Sequence, residues 1–259
     1  MKKIASWNIN SIRIRTDLVE NFLKKVNPDV LLLQEIKCLN EEFPDCFNKH
    51  GYKVITNGEK GKYGVAILVK NKIKINKLII KDKILEKEAR IVGINIEETD
   101  IFLINVYTPN GNPIENTEKF NFKIEWLDRL KKLCKNYVLE RKNLIVGGDF
   151  NVIENYEDAR EFNKWKNDAL GHIKIRKKFR ELLSIGLLNT VRLFYKPGSE
   201  FSFWDYQRSS WERNDGILID HFLISPTITK SIKNMKIDNS YRGLKKPSDH
   251  VPIWIDLEL

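Results

Sequence analysis

Short runs rich in Ile, Val and Leu recur from one end of the chain to the other, at residues 4–9, 30–33, 64–69, 91–96, 101–106, 144–146, 217–224 and 251–257. Each has the length of a strand and is bounded by turn-forming residues. Helical spacing appears between them. Leu18, Val19, Phe22, Leu23 and Val26 form one apolar stripe, ended by Asn27-Pro28. A second stripe runs through Phe120, Ile124, Leu127, Leu130 and Leu133, and a third through Phe179, Leu182, Leu183 and Ile185, closing at Gly186. A helix between the first two strands suggests a crossover, whereas residues 52–108 read as a meander of strands. The mixture predicts an α+β fold, a four-layer α/β sandwich with two mixed β-sheets face to face and helices outside. No repeat, low-complexity tract or Pro/Ser-rich linker divides the chain, so residues 1–259 are expected to form one domain.

Composition narrows the functional classes. Hydrophobic residues make up 42% of the 259, enough for a sizeable core, which excludes intrinsic disorder. The longest apolar runs are too short to span a bilayer, and Ser6, Asn8 and Asn10 interrupt the stretch that a signal peptide would need after Lys2-Lys3. Three cysteines, Cys38, Cys46 and Cys134, match no metal or redox spacing and are expected to be reduced thiols in a cytoplasmic protein. A net charge of +10 fits a polyanionic partner, and equally a Lys-, Ile- and Asn-rich composition of the kind AT-rich genomes produce.

The chemistry lies in the polar residues that end the strand patterns. Asn8 follows the run at 4–7, Glu35 the run at 30–34, and Tyr107 and Asn110 the run at 101–106. Asp149 and Asn151 follow 144–148, Asp220 sits inside the run that starts at 217, and Asp249-His250 precedes the last strand. A charge at such a position is costly unless it is paired or metal-bound. Singly, each has an ordinary reading: Asn8, Glu35 and Asp149 as caps, Asp220 as half of an ion pair. Six together point to one rim, because strand ends in a sandwich collect there. The set holds hard oxygen ligands and one His without Cys, which suits magnesium or manganese rather than zinc. Asp149 and Asn151, two apart in extended chain, face the same side. Gly147-Gly148 ahead of them signals either close backbone approach or a flexible turn.

Six blocks, Trp7-Asn8-Ile9-Asn10-Ser11-Ile12-Arg13, Leu33-Gln34-Glu35-Ile36-Lys37, Tyr63-Gly64-Val65-Ala66, Val106-Tyr107-Thr108-Pro109-Asn110, Gly147-Gly148-Asp149-Phe150-Asn151 and Lys246-Pro247-Ser248-Asp249-His250, stand in this order. They resemble the signature blocks of exonuclease III-type abasic-site endonucleases, within the endonuclease/exonuclease/phosphatase superfamily. The likeness covers essentially the whole chain, and residues 110–126 and 201–206 look closest to a bacterial branch. It implies a DNase I-like fold and a Mg2+-dependent DNA-repair phosphodiesterase, with Mn2+ as a substitute metal. The implied reaction is incision of duplex DNA 5′ to abasic sites, with trimming of blocked 3′ ends by a monomer. By the same resemblance Glu35 is the main metal ligand, with Asn8, Asn10 and Asp249 near the metal. Asp149 would activate the attacking water and Asn151 orient it. Tyr107 and Asn110 would touch the scissile phosphate, and Lys37 is the basic residue that follows the metal Glu. His250, held by Asp220, would stabilise the developing charge. Phe203, Trp204, Ile217 and Ile219 are implied to line a pocket for a flipped-out abasic sugar; the other reading is that such aromatics are core.

The chain departs from the resemblance beside Asp220, where Asp215 and Leu218 occupy positions that commonly hold arginines. Arg208, Arg213, Arg242, Lys245 and Lys246 are expected to supply part of the missing positive field. His172 lies in a segment that lacks the usual Pro-Glu and reads as a surface residue. Another phosphodiesterase of the same superfamily would share Glu35, Asp149-x-Asn151 and Ser248-Asp249-His250, but residues 201–206 and the Trp7–Arg13 block favour the repair nuclease. A catalytically dead DNA-binding module would have lost acids, and here every expected position is filled.

Overall fold

In a computed structural model that describes residues 2–258, strand β1 (Lys2–Asn8) leads into helix α1 (Ile12–Val26), which returns the chain to β2 (Val30–Gln34), parallel to β1. Antiparallel β3 (Tyr52–Asn57) and β4 (Val65–Lys70) follow, β4 pairing with β2. The second sheet begins with β5 (Ile75–Lys77), β6 (Ile91–Ile96) and β7 (Ile101–Tyr107). Helix α2 (Thr117–Leu139) then crosses to β8 (Asn143–Asp149), parallel to β7. The remaining elements are α3 (Ile173–Leu183), β9 (Leu188–Asn189), α4 (Thr190–Phe194), β10 (Asp220–Ile224), β11 (Ile232–Ile237) and β12 (Ile253–Leu257). Strand order is β11-β12-β1-β2-β4-β3 in one sheet and β5-β6-β7-β8-β10-β9 in the other. These are the two mixed sheets expected.

Period-two alternation explains the layering. In β2, Val30 and Leu32 pack between the sheets while Leu31 and Leu33 face the α1 side with Val19, Phe22 and Leu23. In β8, Ile145 faces the interior while Leu144 and Val146 pack against Trp126, Leu127 and Phe179 of α2 and α3. Both faces of the central strands are therefore apolar, and the sequence shows runs instead of an alternation. One polar bridge crosses the interior. Asn105 on β7 donates Nδ2 to Leu33 O and Ala66 O in the opposite sheet, both at 2.9 Å, and accepts from Gln34 Nε2 at 2.7 Å. Buried amides left unpaired are expensive, so this bridge favours one register of the sheets just below the rim.

Several details differ from the sequence expectation. The meander at 52–108 is split, with β3–β4 in one sheet and β5–β7 in the other. Residues 217–219 are not part of β10: Ile217 forms isolated bridges with Phe203 and Ala159, because the 201–206 segment and the 156–159 turn claim its backbone groups. Helix α1 begins at Ile12, six residues before the stripe, with a kink at Arg15. Strands β9 and β11 and helix α4 have no sequence signal strong enough to mark them.

Each sheet contains one parallel pair bridged by a helix, β1/β2 and β7/β8. The carboxyl ends of all four strands lie at one rim, where Asn8 of β1 reaches Asp149 of β8. The close approach of β7 and β8 settles the role of the glycine pair. A Cβ on Gly148 (φ +145°) would lie 2.0 Å from Val106 O, and one on Gly147 would lie 2.5 Å from the Phe222 ring. Gly147-Gly148 is a close-approach site, not a flexible turn.

Candidate active site

Asp149 ends β8 and is buried. Its Oδ1 accepts the Asn151 backbone N–H at 2.8 Å, and its Oδ2 accepts Asn8 Nδ2 at 3.0 Å and Asn151 Nδ2 at 3.3 Å. Burial raises its pKa despite these donors, with His250 opposing. Asp220 starts β10 directly opposite Asp149 in the ladder. Its Oδ2 accepts His250 Nδ1 at 2.8 Å and Ser202 Oγ at 2.6 Å. His250 Nε2 points toward Asp149 Oδ2 at 3.7 Å. Burial disfavours the imidazolium, but Asp220 and then Asp149 outweigh it and raise the His250 pKa to about 10. The Phe203 ring meets the His250 ring edge-on at 4.9 Å, and the His250 carbonyl accepts Trp7 Nε1 at 3.0 Å, so the imidazole is fixed on several sides.

Glu35 follows β2 with a left-handed backbone (φ +50°), as do Asn10, Lys37 and Asn151. Non-glycine residues hold this conformation at a cost, and such strain gathers at functional sites. Glu35 Oε1 accepts Asn8 Nδ2 at 3.0 Å, and Glu35 Oε2 pairs with Lys37 Nζ at 2.8 Å. Burial raises the Glu35 pKa, but Lys37 and Asn8 outweigh it and leave the net shift downward, so Glu35 is an anion. Lys37 also donates to Asn10 Oδ1 at 2.6 Å, and Asn10 Nδ2 donates to Asp249 Oδ1 at 3.1 Å. Asn8 thus links Glu35 and Asp149 through its amide nitrogen, while its Oδ1 accepts from Asn10 N–H.

Ligand atoms of Glu35, Asp149 and His250 all lie within 4.8 Å of one another. Two carboxylates and the neighbouring amides are hard donors, and Lys37 and His250 are the cations beside them; the set fits a hard divalent cation.

A cavity of about 300 Å³ opens over this centre, lined by Glu35, Tyr107, Asn110, Asp149, Asn151, Asp249 and His250 on its polar side. Tyr107 lies under the Arg90 guanidinium (4.6 Å), which also stacks on Tyr63 (3.8 Å). Burial, then the Glu35 charge, push the Tyr107 phenol far up, so it is a neutral hydroxyl donor. Asn110 Nδ2 reaches Asn151 Oδ1 at 3.5 Å.

Phe203 and Ile219 line the apolar side. Trp204 and Ile217 do not: Trp204 turns into the inter-sheet core, edge-on to Trp211 at 5.0 Å, with Nε1 bonded to Asn214 Oδ1 at 3.2 Å. Ile217 is fully buried behind Ile219 with Ile153 and Ala159. The wall is completed instead by Trp165, Leu170, Asp168, Asn112 and Asp205, none of them singled out by the sequence. An isolated Trp in the polar stretch 154–168 was the available signal for the first.

The flank beside Asp220 is also resolved. Leu218 is core, and Asp215 pairs with Lys164 at 2.7 Å and Arg213 at 3.5 Å. Arg242, expected in the surface field, is buried and donates to Trp204 O and Asp205 O, so it is a strut. Arg208, Lys245 and Lys246 are exposed. His172 caps α3, its Nδ1 accepting from Lys174 N–H at 3.2 Å.

A buried carboxylate with a raised pKa, an imidazolium aimed at the same cavity and neutral donors around it suit hydrolysis of a phosphate ester. The sequence matches the Endonuclease/Exonuclease/phosphatase family over residues 5–250, and the chain belongs to that family. Exodeoxyribonuclease III of Haemophilus influenzae is 29% identical over 266 residues, covering 99% of this chain and 100% of the relative. An AP endonuclease from Archaeoglobus fulgidus superposes with a TM-score of 0.93 at 32% identity, both chains covered in full. A 3′ phosphatase from Neisseria, bound to a product DNA hairpin, superposes with a TM-score of 0.90 at 28% identity, again over both chains in full. Among the described residues no helix is long and apolar enough to cross a membrane.

Proposed function

We propose that the chain, acting as one domain and a monomer, is a Mg2+-dependent DNA-repair phosphodiesterase that incises duplex DNA 5′ to abasic sites and trims blocked 3′ ends. The observation that carries this reading is the convergence of Asn8, Glu35, Tyr107, Asp149, Asp220 and His250 at one rim, next to an apolar corner formed by Phe203, Trp165, Leu170 and Ile219. An abasic sugar has no base to stack, so extrusion into such a corner costs least there. The names of its relatives point to the same substrate class.

Glu35 would hold the Mg2+, with Asp149 and the Asn10–Asp249 pair around it; when bound, the ion supplies Lewis-acid stabilisation of the phosphate oxygens. Mn2+ would serve in its place. Asp149 takes the proton from the attacking water, its raised pKa bringing its basicity toward neutrality. Asn151, whose Nδ2 bonds to Asp149 Oδ2 and Thr108 O, keeps that carboxylate in one rotamer and turns its Oδ1 to the cavity beside Asn110. His250 donates from Nε2 to the phosphate oxygen as charge develops, while Asp220 holds Nδ1 and the ring orientation. Tyr107 Oη and Asn110 Nδ2 are neutral donors to the same group.

The test is cleavage of a substrate panel, namely duplex with one abasic analogue, intact duplex and duplex with a 3′-phosphate, each with and without Mg2+. Cleavage of intact duplex as fast as the abasic duplex would point to a non-specific phosphodiesterase.

A further inference from the structure

Lys123 on α2 faces inward and is fully buried, and among the described residues no carboxylate lies within ion-pair distance of it. Its Nζ donates to three backbone carbonyls: Asn151 O at 2.6 Å, Asn110 O at 2.9 Å and Ala169 O at 3.2 Å. An ammonium has three N–H donors, so all are used. The three carbonyls belong to three separate loops, and each loop supplies the cavity wall: Asn110 and Asn112 from the first, Asn151 from the second, Trp165, Asp168 and Leu170 from the third. The aliphatic stem takes part as well. A Cβ on Gly111 (φ +83°) would lie 2.7 Å from Lys123 Cδ and 3.3 Å from the Ala169 Cβ, so the first loop rests directly on the stem. A second tie joins the first and third loops nearby, Asn112 Nδ2 donating to both Asp168 oxygens at 3.0 Å.

Burying an amine is costly, and a Met or Leu would fill the same volume without that cost. Burial pulls the Lys123 pKa down to about 7, with Asp168 and Asp149 opposing and Arg90 adding to the fall. A residue that only packed α2 against the sheet would have no need of an amine. What the amine supplies is a common donor for three loops that are otherwise independent in sequence.

We infer that Lys123 is a positioning residue for the reaction, a buried ammonium that sets the spacing of Asn110, Asn151 and the Trp165–Leu170 wall from beneath. Its three donors are all taken by backbone carbonyls, so it acts through the loops that carry them. Its effect falls on the geometry reached at the moment of reaction, where a displacement near 1 Å costs on the order of a hundredfold. This rests on the phosphodiesterase reading above, and the two fail separately: no cleavage by the wild type sinks that reading, whereas normal cleavage by the variant sinks only the role of Lys123.

The experiment compares Lys123→Met, Lys123→Arg and Leu182→Ala, the last a core change on α3 away from the cavity. Each is measured for kcat and KM on duplex carrying an abasic analogue, at a temperature where thermal unfolding shows the variant folded. Lys123→Met is expected to lower kcat about ten- to hundredfold with KM within about threefold. Lys123→Arg, which keeps charge and donors, is expected to recover kcat to within about fivefold of wild type. Leu182→Ala is expected to lose Tm with kcat unchanged. A Lys123→Met kcat within about twofold of wild type, or an equal loss of kcat in Leu182→Ala, overturns the proposal. If Lys123→Met does not fold, Lys123→Gln, whose two N–H donors cannot serve all three carbonyls, is expected to lower kcat about three- to tenfold, and a kcat within about twofold of wild type overturns the proposal.

Discussion

Gly148→Ala tests how tightly the two central strands set the site. The added Cβ would stand 2.0 Å from Val106 O and 2.9 Å from Val106 C, both backbone atoms of the adjacent β7. Relief requires β7 and β8 to part by about 1 Å, since real contacts of this kind begin above 3 Å. The next rung of that ladder is Tyr107 opposite Asp149, so the displacement reaches the site within one residue. Strain at φ +145° costs roughly 1–3 kcal/mol, and overpacking costs roughly 1–3 kcal/mol more. For a chain of this length the unfolding entropy is about 0.5 kcal/mol per kelvin, so Tm should fall by about 4–12 °C. Turnover on abasic duplex should fall by about two orders of magnitude. Gly51→Ala is the control: its φ is +79° with nothing within 4 Å of the new Cβ. It should cost about 1–2 kcal/mol and leave turnover unchanged. Thermal unfolding and single-turnover incision read both effects. Wild-type Tm and turnover in Gly148→Ala would refute the close-approach argument.

The remaining predictions concern the acids, the charge field and the thiols. His250→Ala and Asp149→Asn should each lower kcat by about 10²–10⁴ with DNA affinity within about threefold, measured by turnover and by filter or anisotropy binding; full activity in either would remove its assigned role. Glu35→Ala should shift the Mg2+ concentration for half-maximal rate upward more than it lowers the saturated rate. Neutralising Arg208, Lys245 and Lys246 together should reduce the slope of log affinity against log salt by about 2–3, and an unchanged slope means these cations do not face DNA. Burial raises the Cys38 thiol to about 11 and the Cys134 thiol to about 12, so a native thiol titration near pH 8 should report Cys46 at most. Three fast-reacting thiols in the folded protein would contradict the packing around α1 and α2.

The sandwich and the site rim are legible in the sequence for one physical reason. Glu35, Asp149 and Asp220 each place a charge beside residues that belong in a core, and only a shared site makes that affordable three times over. The two parallel pairs follow from apolar runs separated by a helical stripe. What was not legible depends on long-range packing. Residues 156–171 carry no periodicity, and only long-range bonds, from Arg160 N–H to Gly216 O, Leu218 N–H to Asp158 O, Ile153 N–H to Leu170 O and Lys123 Nζ to Ala169 O, bring Trp165 and Leu170 to the cavity. Trp204 stands next to Phe203 in sequence, yet adjacent residues in extended chain face opposite sides, and it is the core-facing one. Arg242 looked like a surface cation because composition gives no burial. Lys123 stands on the apolar stripe of α2, three residues after Phe120 and four before Leu127, a position that signalled burial, but only the fold places three carbonyls around it.

The central claim is a metal-dependent cut on one side of a missing base, and mapping the product ends tests it most directly. Duplex DNA with a single internal abasic analogue, labelled on the lesion strand, is incubated with the protein in Mg2+ and in EDTA, and the fragment length and terminus are read at nucleotide resolution. One incision is expected immediately 5′ to the lesion, leaving a 3′-hydroxyl, and lost in EDTA and in Asp149→Asn. Equal cutting at undamaged positions of the labelled strand, or a cut that persists in EDTA, would contradict it.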